Sequence, residues 1–312
     1  MDTLAVVMEQ PQRLGLSRIE LDPPGDADLV VDIAYSGIST GTERLLWSGR
    51  MPHFPGMGYP LVPGYESVGR VSAAGSASGF EEGEQVFVPG ANCYGAVRGL
   101  FGGSASRVVV PAARVARLSD DLGERGVLLA LAATAHHALT LPGVEPPGLI
   151  VGHGVLGRLM ARLALCLGAE SPVVWEREAS RMNGDGYPIL HPDQDARRDY
   201  RTIFDVSGDA GLLDTLVMRL ARGGEIILAG FYAEPLRFAF PPAFMKEARF
   251  RVAAQWLPSD LAAVLALVTS GRLSLDGLIT HRCDATDASA AYDTAFGDPA
   301  CLKMILDWRT CS

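Results

Sequence analysis

The chain holds no CxxC pair. Its five cysteines, Cys93, Cys166, Cys283, Cys301 and Cys311, are scattered along 312 residues. That spacing sets aside a dithiol motif and leaves the reduced, unpaired thiols of a cytoplasmic protein as the expectation. Positive charge is also scarce: 27 Lys and Arg stand against 36 Asp and Glu, a net charge of -9. A general nucleic-acid surface needs basic patches to neutralise phosphates, so no nucleic-acid partner is expected. Charge alone will not hold the chain on anionic lipid. No uncharged apolar run is long enough to cross a bilayer; residues 126–141 are apolar but few, and Pro142 closes them. Residues 1–10 lack a basic segment followed by a long apolar core, so no secretory signal is read there. Neither an internal repeat nor a low-complexity segment occurs.

What is present is ordinary globular material, 48% hydrophobic and 20% charged, long enough for two domains with a core each. The first part reads as short β-branched strands at 29–34, 67–72, 85–89 and 107–111, with Gly and Pro dense between them, as at 52–64. From Gly126 strand and helix signals alternate. Helices are expected at 128–141, 155–167, 212–220 and 261–269, and strands at 149–151, 172–175, 203–206 and 226–229. Such alternation implies parallel strands covered by helices. A last helix (285–296) and strand (302–306) complete an α/β chain, a mainly β domain joined to a doubly wound parallel sheet.

Gly152-His153-Gly154-Val155-Leu156-Gly157 is a GxGxxG string. It follows an apolar strand and opens an apolar helix, the context that gives the motif meaning. Gly152 permits the tight turn, Gly154 lets backbone approach a pyrophosphate, and Gly157 lets helix and strand pack closely. The helix N-terminus offers free N–H groups to phosphate. Glu176 closes the next strand about 20 residues on, where an acid can bind both ribose hydroxyls and repel a 2′-phosphate, which favours NAD over NADP. Arg177, directly after it, could instead receive that phosphate. Without its context the string is only a glycine-rich turn.

Three further segments carry a resemblance. Tyr35-Ser36-Gly37-Ile38-Ser39, Pro60-Leu61-Val62-Pro63-Gly64-Tyr65-Glu66-Ser67-Val68-Gly69 and Gly83-Glu84-Gln85-Val86 stand in the order, and at the places, of the first zinc-ligand segment, the P-x-x-x-G-H-E-x-x-G stretch and the G-D-x-V strand of alcohol dehydrogenases. With the helix at 129–139, the chain resembles the medium-chain dehydrogenase/reductase superfamily over nearly its whole length. The resemblance implies a GroES-like catalytic domain from residues 1–142 and 279–312, and a Rossmann domain from 143–278 with the substrate cleft against it. It also implies departures. The zinc-ligand slots read Ser39, Tyr65 and Ala130, and hydroxyl, phenol and methyl make no tight zinc site. Only Cys93 lies where a four-cysteine structural zinc lobe would be. A zinc-free member is therefore expected, with no metal. Residues 37–47 together with Val62-Pro63-Gly64-Tyr65-Glu66 most resemble the bacteriochlorophyll-synthesis branch, which oxidises the 3-(1-hydroxyethyl) arm of a bacteriochlorophyllide to 3-acetyl.

Lacking a metal, such an enzyme needs a general base or hydrogen-bonding partner for the alcohol. Tyr65 fills the ligand-histidine slot, with Ser39 and Thr42 beside it, and Glu66 is retained. Thr134, His136 and His137 lie on the helix that borders the nicotinamide in the family. Neighbouring helical residues point about 100° apart, so one histidine at most should face the site, and His137 is the catalytic candidate. The expected cofactor residues are Gly152, Gly154, Val155, Leu156 and Gly157 on the fingerprint. Glu176, Arg177, Thr134, Ser207 and Gly230 join them. Plainer readings stand beside these: Tyr65 as packing, the histidines as half-buried helix residues, Glu66 as half of a buried ion pair. Trp47, Met51, Phe54, Met57 and Tyr59 form either apolar walls for a flat ring or a cluster under their own loop. Rival functions are a zinc-free quinone or enoyl reductase, which would prefer NADPH, and a non-catalytic NAD sensor. Partners expected from the resemblance are the tetrapyrrole, a second copy through the last Rossmann strands, and a membrane only by way of the pigment.

Overall fold

Runs of Val, Ile and Leu make the central strands, since β-branched and apolar side chains suit a pleated surface buried on both faces. The computed structural model describes every residue except Phe54, Asp185 and Ser312. The chain opens with an antiparallel hairpin, β1 (Asp2–Gln10) and β2 (Arg13–Glu20). β3 (Asp28–Ile38) and a short helix α1 (Thr42–Ser48) follow. Then come β4 (Leu61–Val62), β5 (Ser67–Ala74), β6 (Gln85–Val88), β7 (Arg98–Gly99), β8 (Arg107–Pro111) and β9 (Ala116–Arg117).

Helix α2 (Leu129–Leu139) leads into the alternating stretch: β10 (Leu149–Val151), α3 (Val155–Cys166), β11 (Val173–Trp175), β12 (Ile189–Leu190), β13 (Tyr200–Asp205), α4 (Leu213–Arg219), β14 (Leu220–Leu228), α5 (Phe240–Lys246), β15 (Arg249–Val252) and α6 (Pro258–Thr269). Its six strands are all parallel, in the order β12-β11-β10-β13-β14-β15. That is the order of a doubly wound dinucleotide fold, whose switch point falls between β10 and β13. The chain then returns through β16 (His281–Asp284), α7 (Ala288–Gly297) and β17 (Met304–Asp307). β17 pairs antiparallel with β3, Met304 opposite Ile38, and so completes a seven-stranded sheet begun at the other end of the sequence.

Packing divides the chain into two units, Met1–Ala130 with Asp276–Ser312, and Leu131–Leu275. The first division lies a dozen residues before the expected 142/143. The reason is α2: His136 and His137 both bond Asp260 on α6, so the helix packs with the second unit. The first core joins Val6, Val31, Ile38, Leu46 and Val108 to Tyr292 and Trp308 of the returning segment. Among the described residues no helix is long and apolar enough to cross a membrane.

Candidate active site

In the first unit, register sets the site. β3 and β5 are antiparallel with Ser36 opposite Ser67, and the Gly37 N–H donates to Glu66 O at 2.7 Å. Residues just past the end of β3 therefore meet those just before β5. Ser39 Oγ and Tyr65 Oη lie 2.6 Å apart, with Thr42 Oγ1 3.5 Å from the phenol. Phe101 meets the Tyr65 ring edge-on, with centroids 5.3 Å apart. Gly64 has φ +98°, and a Cβ there would collide with Ser104 Oγ, so only glycine brings Tyr65 into place. Burial, then the neighbouring Glu66 carboxylate, raises the Tyr65 pKa above that of an ordinary phenol. Tyr65 is thus a hydrogen-bonding hydroxyl and not a base at neutral pH.

A layer of charge lies beneath. Glu66 and Lys303 are 0% and 1% exposed, with Nζ 2.5 Å from Oε2. Lys303 also donates to Ile38 O at 3.2 Å. Glu66 Oε1 has no hydrogen-bond partner among the described residues. Burial raises the Glu66 pKa and Lys303 opposes the rise. Gly37 must be bare, because a Cβ would overlap Glu66 Oε2. Glu43, also 0% exposed, accepts from the Ser39 N–H at 3.1 Å and from the Tyr292 hydroxyl at 2.5 Å. Burial lifts its pKa to about 7, against the lowering effect of those two donors and of Lys303. Ser39, Thr42, Tyr65 and Glu66 are therefore brought together. Glu43, Tyr292 and Lys303 were missed. One signal was legible: the chain has only two lysines, and Lys303 stands inside the apolar run 301–306.

The donor set does not fit zinc. Ser39 and Tyr65 fill two slots with hydroxyls already bonded to each other, and Ala130 offers a buried methyl in the third. Among the described residues no three His, Cys, Asp or Glu side chains are grouped to hold a metal. The loop aromatics serve packing. Met51 is buried in the first core, Trp47, Met57 and Tyr59 pack against it, and Tyr59 Oη bonds Leu46 O. This packing supports the reading of these residues as a cluster under their own loop; Phe54 lies outside the described residues.

In the second unit the glycine turn fits a dinucleotide. Gly152 has φ +106°, Gly154 caps the twelve-residue α3, and a Cβ on Gly157 would overlap Gly152 O. Nothing stands within 4 Å of a Cβ built on Gly154, so the backbone there is open to a ligand. Val155 and Leu156 form the first turn of α3. Val151 is in register with Trp175, which places Glu176 beside the turn. Its Oε1 accepts the N–H groups of Arg177 and Glu178 at 2.7 and 2.9 Å. Arg177 comes within 3.9 Å of Asp209. Across the switch point a Cβ on Gly152 would lie 3.4 Å from Ser207 Cα. Ser207 donates through N and Oγ to the buried Asp205, whose carbonyl receives the Gly230 N–H at 2.9 Å. The fingerprint, Glu176, Arg177, Ser207 and Gly230 thus converge at the carboxyl ends of adjacent strands, where such sheets bind ligands.

Thr134 and His137 lie instead on α2. His136 and His137 both turn to α6, with Nδ1 2.8 and 2.9 Å from the two oxygens of Asp260. The carboxylate spans both, and it also caps α6 by accepting the Leu257 N–H. This is a structural clamp for the helix pair. Equally unforeseen, His153 within the fingerprint is buried and holds Arg181 O and Tyr187 Oη at 2.7 and 2.9 Å. Arg158 adds bonds to Arg181 O and Asn183. Among its described residues, the segment between β11 and β12 holds only one short turn of 3₁₀ helix and is pinned by these bonds.

Residues 25–120 match the alcohol dehydrogenase GroES-like domain. The chain is 58% identical over 99% of both lengths to 2-desacetyl-2-hydroxyethyl bacteriochlorophyllide A dehydrogenase of Rhodobacter capsulatus. It is 57% identical, again over 99% of both, to the protein of that name from Cereibacter sphaeroides. An alcohol dehydrogenase from E. coli CFT073 complexed with NADH shares the fold, with a TM-score of 0.82 at 20% identity over 98% of this chain and 99% of that one. Identity of this extent along the full length leaves one assignment: the chain belongs to the 2-desacetyl-2-hydroxyethyl bacteriochlorophyllide A dehydrogenase family, a branch of the medium-chain dehydrogenases.

Proposed function

We infer that this chain oxidises the 3-(1-hydroxyethyl) group of a bacteriochlorophyllide to 3-acetyl and passes the hydride to NAD. The observation that carries the reading is the 58% identity to a dehydrogenase of that name along the whole chain. Glu176 beside the glycine turn supports NAD over NADP, since a carboxylate there pairs with ribose hydroxyls and repels a 2′-phosphate. A bound nicotinamide would supply the hydride acceptor. The glycine turn and the N-terminus of α3 hold the pyrophosphate, and Ser207 and Gly230 border it.

Ser39 and Tyr65 are assigned to the substrate's hydroxyl. Their oxygens are 2.6 Å apart, so one hydroxyl hydrogen lies between them and the other donates to the alcohol oxygen; as hydride passes to NAD⁺ the alcohol proton leaves to water, which gives ketone, NADH and H⁺. Positive charge at the carbinol carbon spreads into the electron-rich macrocycle, which lowers the electrostatic help demanded of the protein. No step is routed through a metal, in keeping with the hydroxyl and methyl donor set. A homodimer is assigned to the β15 side of the second unit. There Phe240, Phe244, Met245 and Val252 are 64–73% exposed near the open sheet edge, and clustered exposed apolar side chains mark association surfaces.

The test mixes enzyme, hydroxyethyl pigment and NAD⁺ and records spectra over time. The long-wavelength band should move to the red as a carbonyl enters conjugation, with NADH formed in step. Tyr65→Phe should lower kcat while the affinity for NAD stays unchanged. Protein that binds NAD yet gives neither red shift nor pigment-dependent NADH overturns the assignment.

A further inference from the structure

The C=O of Ile38 and the N–H of Ser39 belong to one peptide group. Lys303 Nζ donates to its oxygen at 3.2 Å, and Glu43 Oε1 accepts from its nitrogen at 3.1 Å. Each holder is itself held. Lys303 is paired with Glu66 at 2.5 Å, and Glu43 receives the Tyr292 hydroxyl at 2.5 Å. Glu43, Glu66, Lys303 and Tyr292 are all fully buried or within 1% of it. Two of them, Tyr292 on α7 and Lys303 directly before β17, come from the returning C-terminal segment. The peptide so gripped carries Ser39, whose Oγ meets Tyr65.

We propose that Glu43, Tyr292 and Lys303 are positioning residues that clamp the Ile38–Ser39 peptide and thereby aim the Ser39–Tyr65 hydroxyl pair at the substrate. The catalytic part of this rests on the function proposed above; the clamp itself does not. A buried cation on the carbonyl and a buried acid on the amide fix the peptide plane from both sides. Rotation of that plane would swing Ser39 Oγ away from Tyr65. Glu66 sets Lys303, and its size also dictates glycine at position 37.

Glu43→Gln keeps an acceptor for the Ser39 N–H, whereas Glu43→Met removes it at similar length. Glu43→Met should lower kcat, per molecule able to bind NADH, by about 10-fold or more, the scale expected when a reacting group shifts by a fraction of an ångström. KM for pigment and Kd for NADH should stay within about 2-fold, and Glu43→Gln should recover most of the loss. Tyr292→Phe should fall between them. A merely structural role would reduce the NADH-binding fraction and leave kcat per binding-competent molecule unchanged. In parallel, amide hydrogen exchange at Ser39 should be slow in the parent protein. It should be at least about 10-fold faster in Glu43→Met, with residues 29–33 of β3 unaffected. Unchanged exchange at Ser39 overturns the clamp whatever the substrate proves to be. An unchanged kcat in Glu43→Met, while the parent turns over pigment, overturns its catalytic part. A parent that does not turn over pigment, with Ser39 exchange responding as described, faults the assigned reaction and leaves the clamp standing.

Discussion

Removing the Lys303 ammonium while leaving Glu66 is the sharpest perturbation of the first unit. The two side chains are 1% and 0% exposed, and their pairing at 2.5 Å is the principal compensation for the Glu66 charge. Lys303→Met should destabilise the unit by about 3–5 kcal/mol, the usual cost of stranding a buried charge. Glu66→Met should cost a similar amount, because it strands the ammonium. The double variant replaces the pair with apolar chains of like length. It should lose only about 1–2 kcal/mol, mainly because Ile38 O loses its donor. The two single effects should therefore fail to add by several kcal/mol, the sign of a direct pair. The sign with pH also follows. In Lys303→Met the Glu66 carboxyl, already raised by burial, rises further, so the folded state holds a proton that the unfolded state has released. The penalty should shrink as pH falls from 8 towards 5. The assay is hydrogen exchange in a urea series, read at peptides from β3 and β17 so that the signal belongs to the first unit. Single effects that add, or a penalty indifferent to pH, would refute the pairing as a source of stability.

Three other outcomes are expected. Glu43, raised by burial from 4.5 to about 7, makes the folded state bind more protons than the unfolded chain between those values. Stability should fall by about 3 kcal/mol as pH rises through that window; Glu43→Gln should abolish the fall, read as urea midpoints at pH 5 and 8. Glu176→Ser should bring the Kd values for NADH and NADPH, measured by fluorescence titration, together by about 10-fold or more from the NADH-preferring parent; no change would move the choice of cofactor to another residue. Purified protein should carry zinc well below one per chain by elemental analysis, with activity insensitive to chelators, because Ser39, Tyr65 and Ala130 offer no tight donor set.

Local chemistry made much of this fold legible. The β-branched runs at 29–34, 67–72, 85–89 and 107–111 are strands, and helices start within about three residues of the expected positions. The GxGxxG string sits on its strand–turn–helix, with Glu176 where strand register puts it. What escaped lacks a local period. β1 and β2 mix polar and apolar residues without clean alternation, and β15 reads Arg-Phe-Arg-Val, a charged string unlike a strand buried on both faces. The short α5 opens Phe-Pro-Pro, where two prolines hide a helix start. The Ser39–Tyr65 meeting was foreseeable from the family's ligand slots. The clamp was not, because Glu43 meets Tyr292 across 249 residues and Ile38 meets Lys303 across 265. The Asp260 bridge escaped for the same reason: one carboxylate with two oxygens gathers the rings of His136 and His137 from 124 and 123 residues away.

A metal in a site of this kind would do two separable things: tie side chains from distant segments together, and stabilise charge on the substrate oxygen. The ionic layer under Ser39 does the first with side chains. It joins the end of β3, the loop before β5 and the C-terminal return through Glu66, Lys303, Glu43 and Tyr292. In the proposed reaction the second task is given to hydroxyls, which suits a substrate whose macrocycle already shares the charge. The layer also carries two carboxyls against one ammonium in a space closed to water. Burial, with the Glu66 carboxylate adding to the rise, lifts the Glu43 pKa to about 7, so Glu43 is the group of this layer that exchanges a proton near neutral pH. Across the physiological range, then, the net charge beneath Ser39 and Tyr65 changes while the hydrogen bonds that place them can persist, since a protonated Glu43 still has one oxygen to accept the Ser39 N–H and a hydroxyl to share with Tyr292.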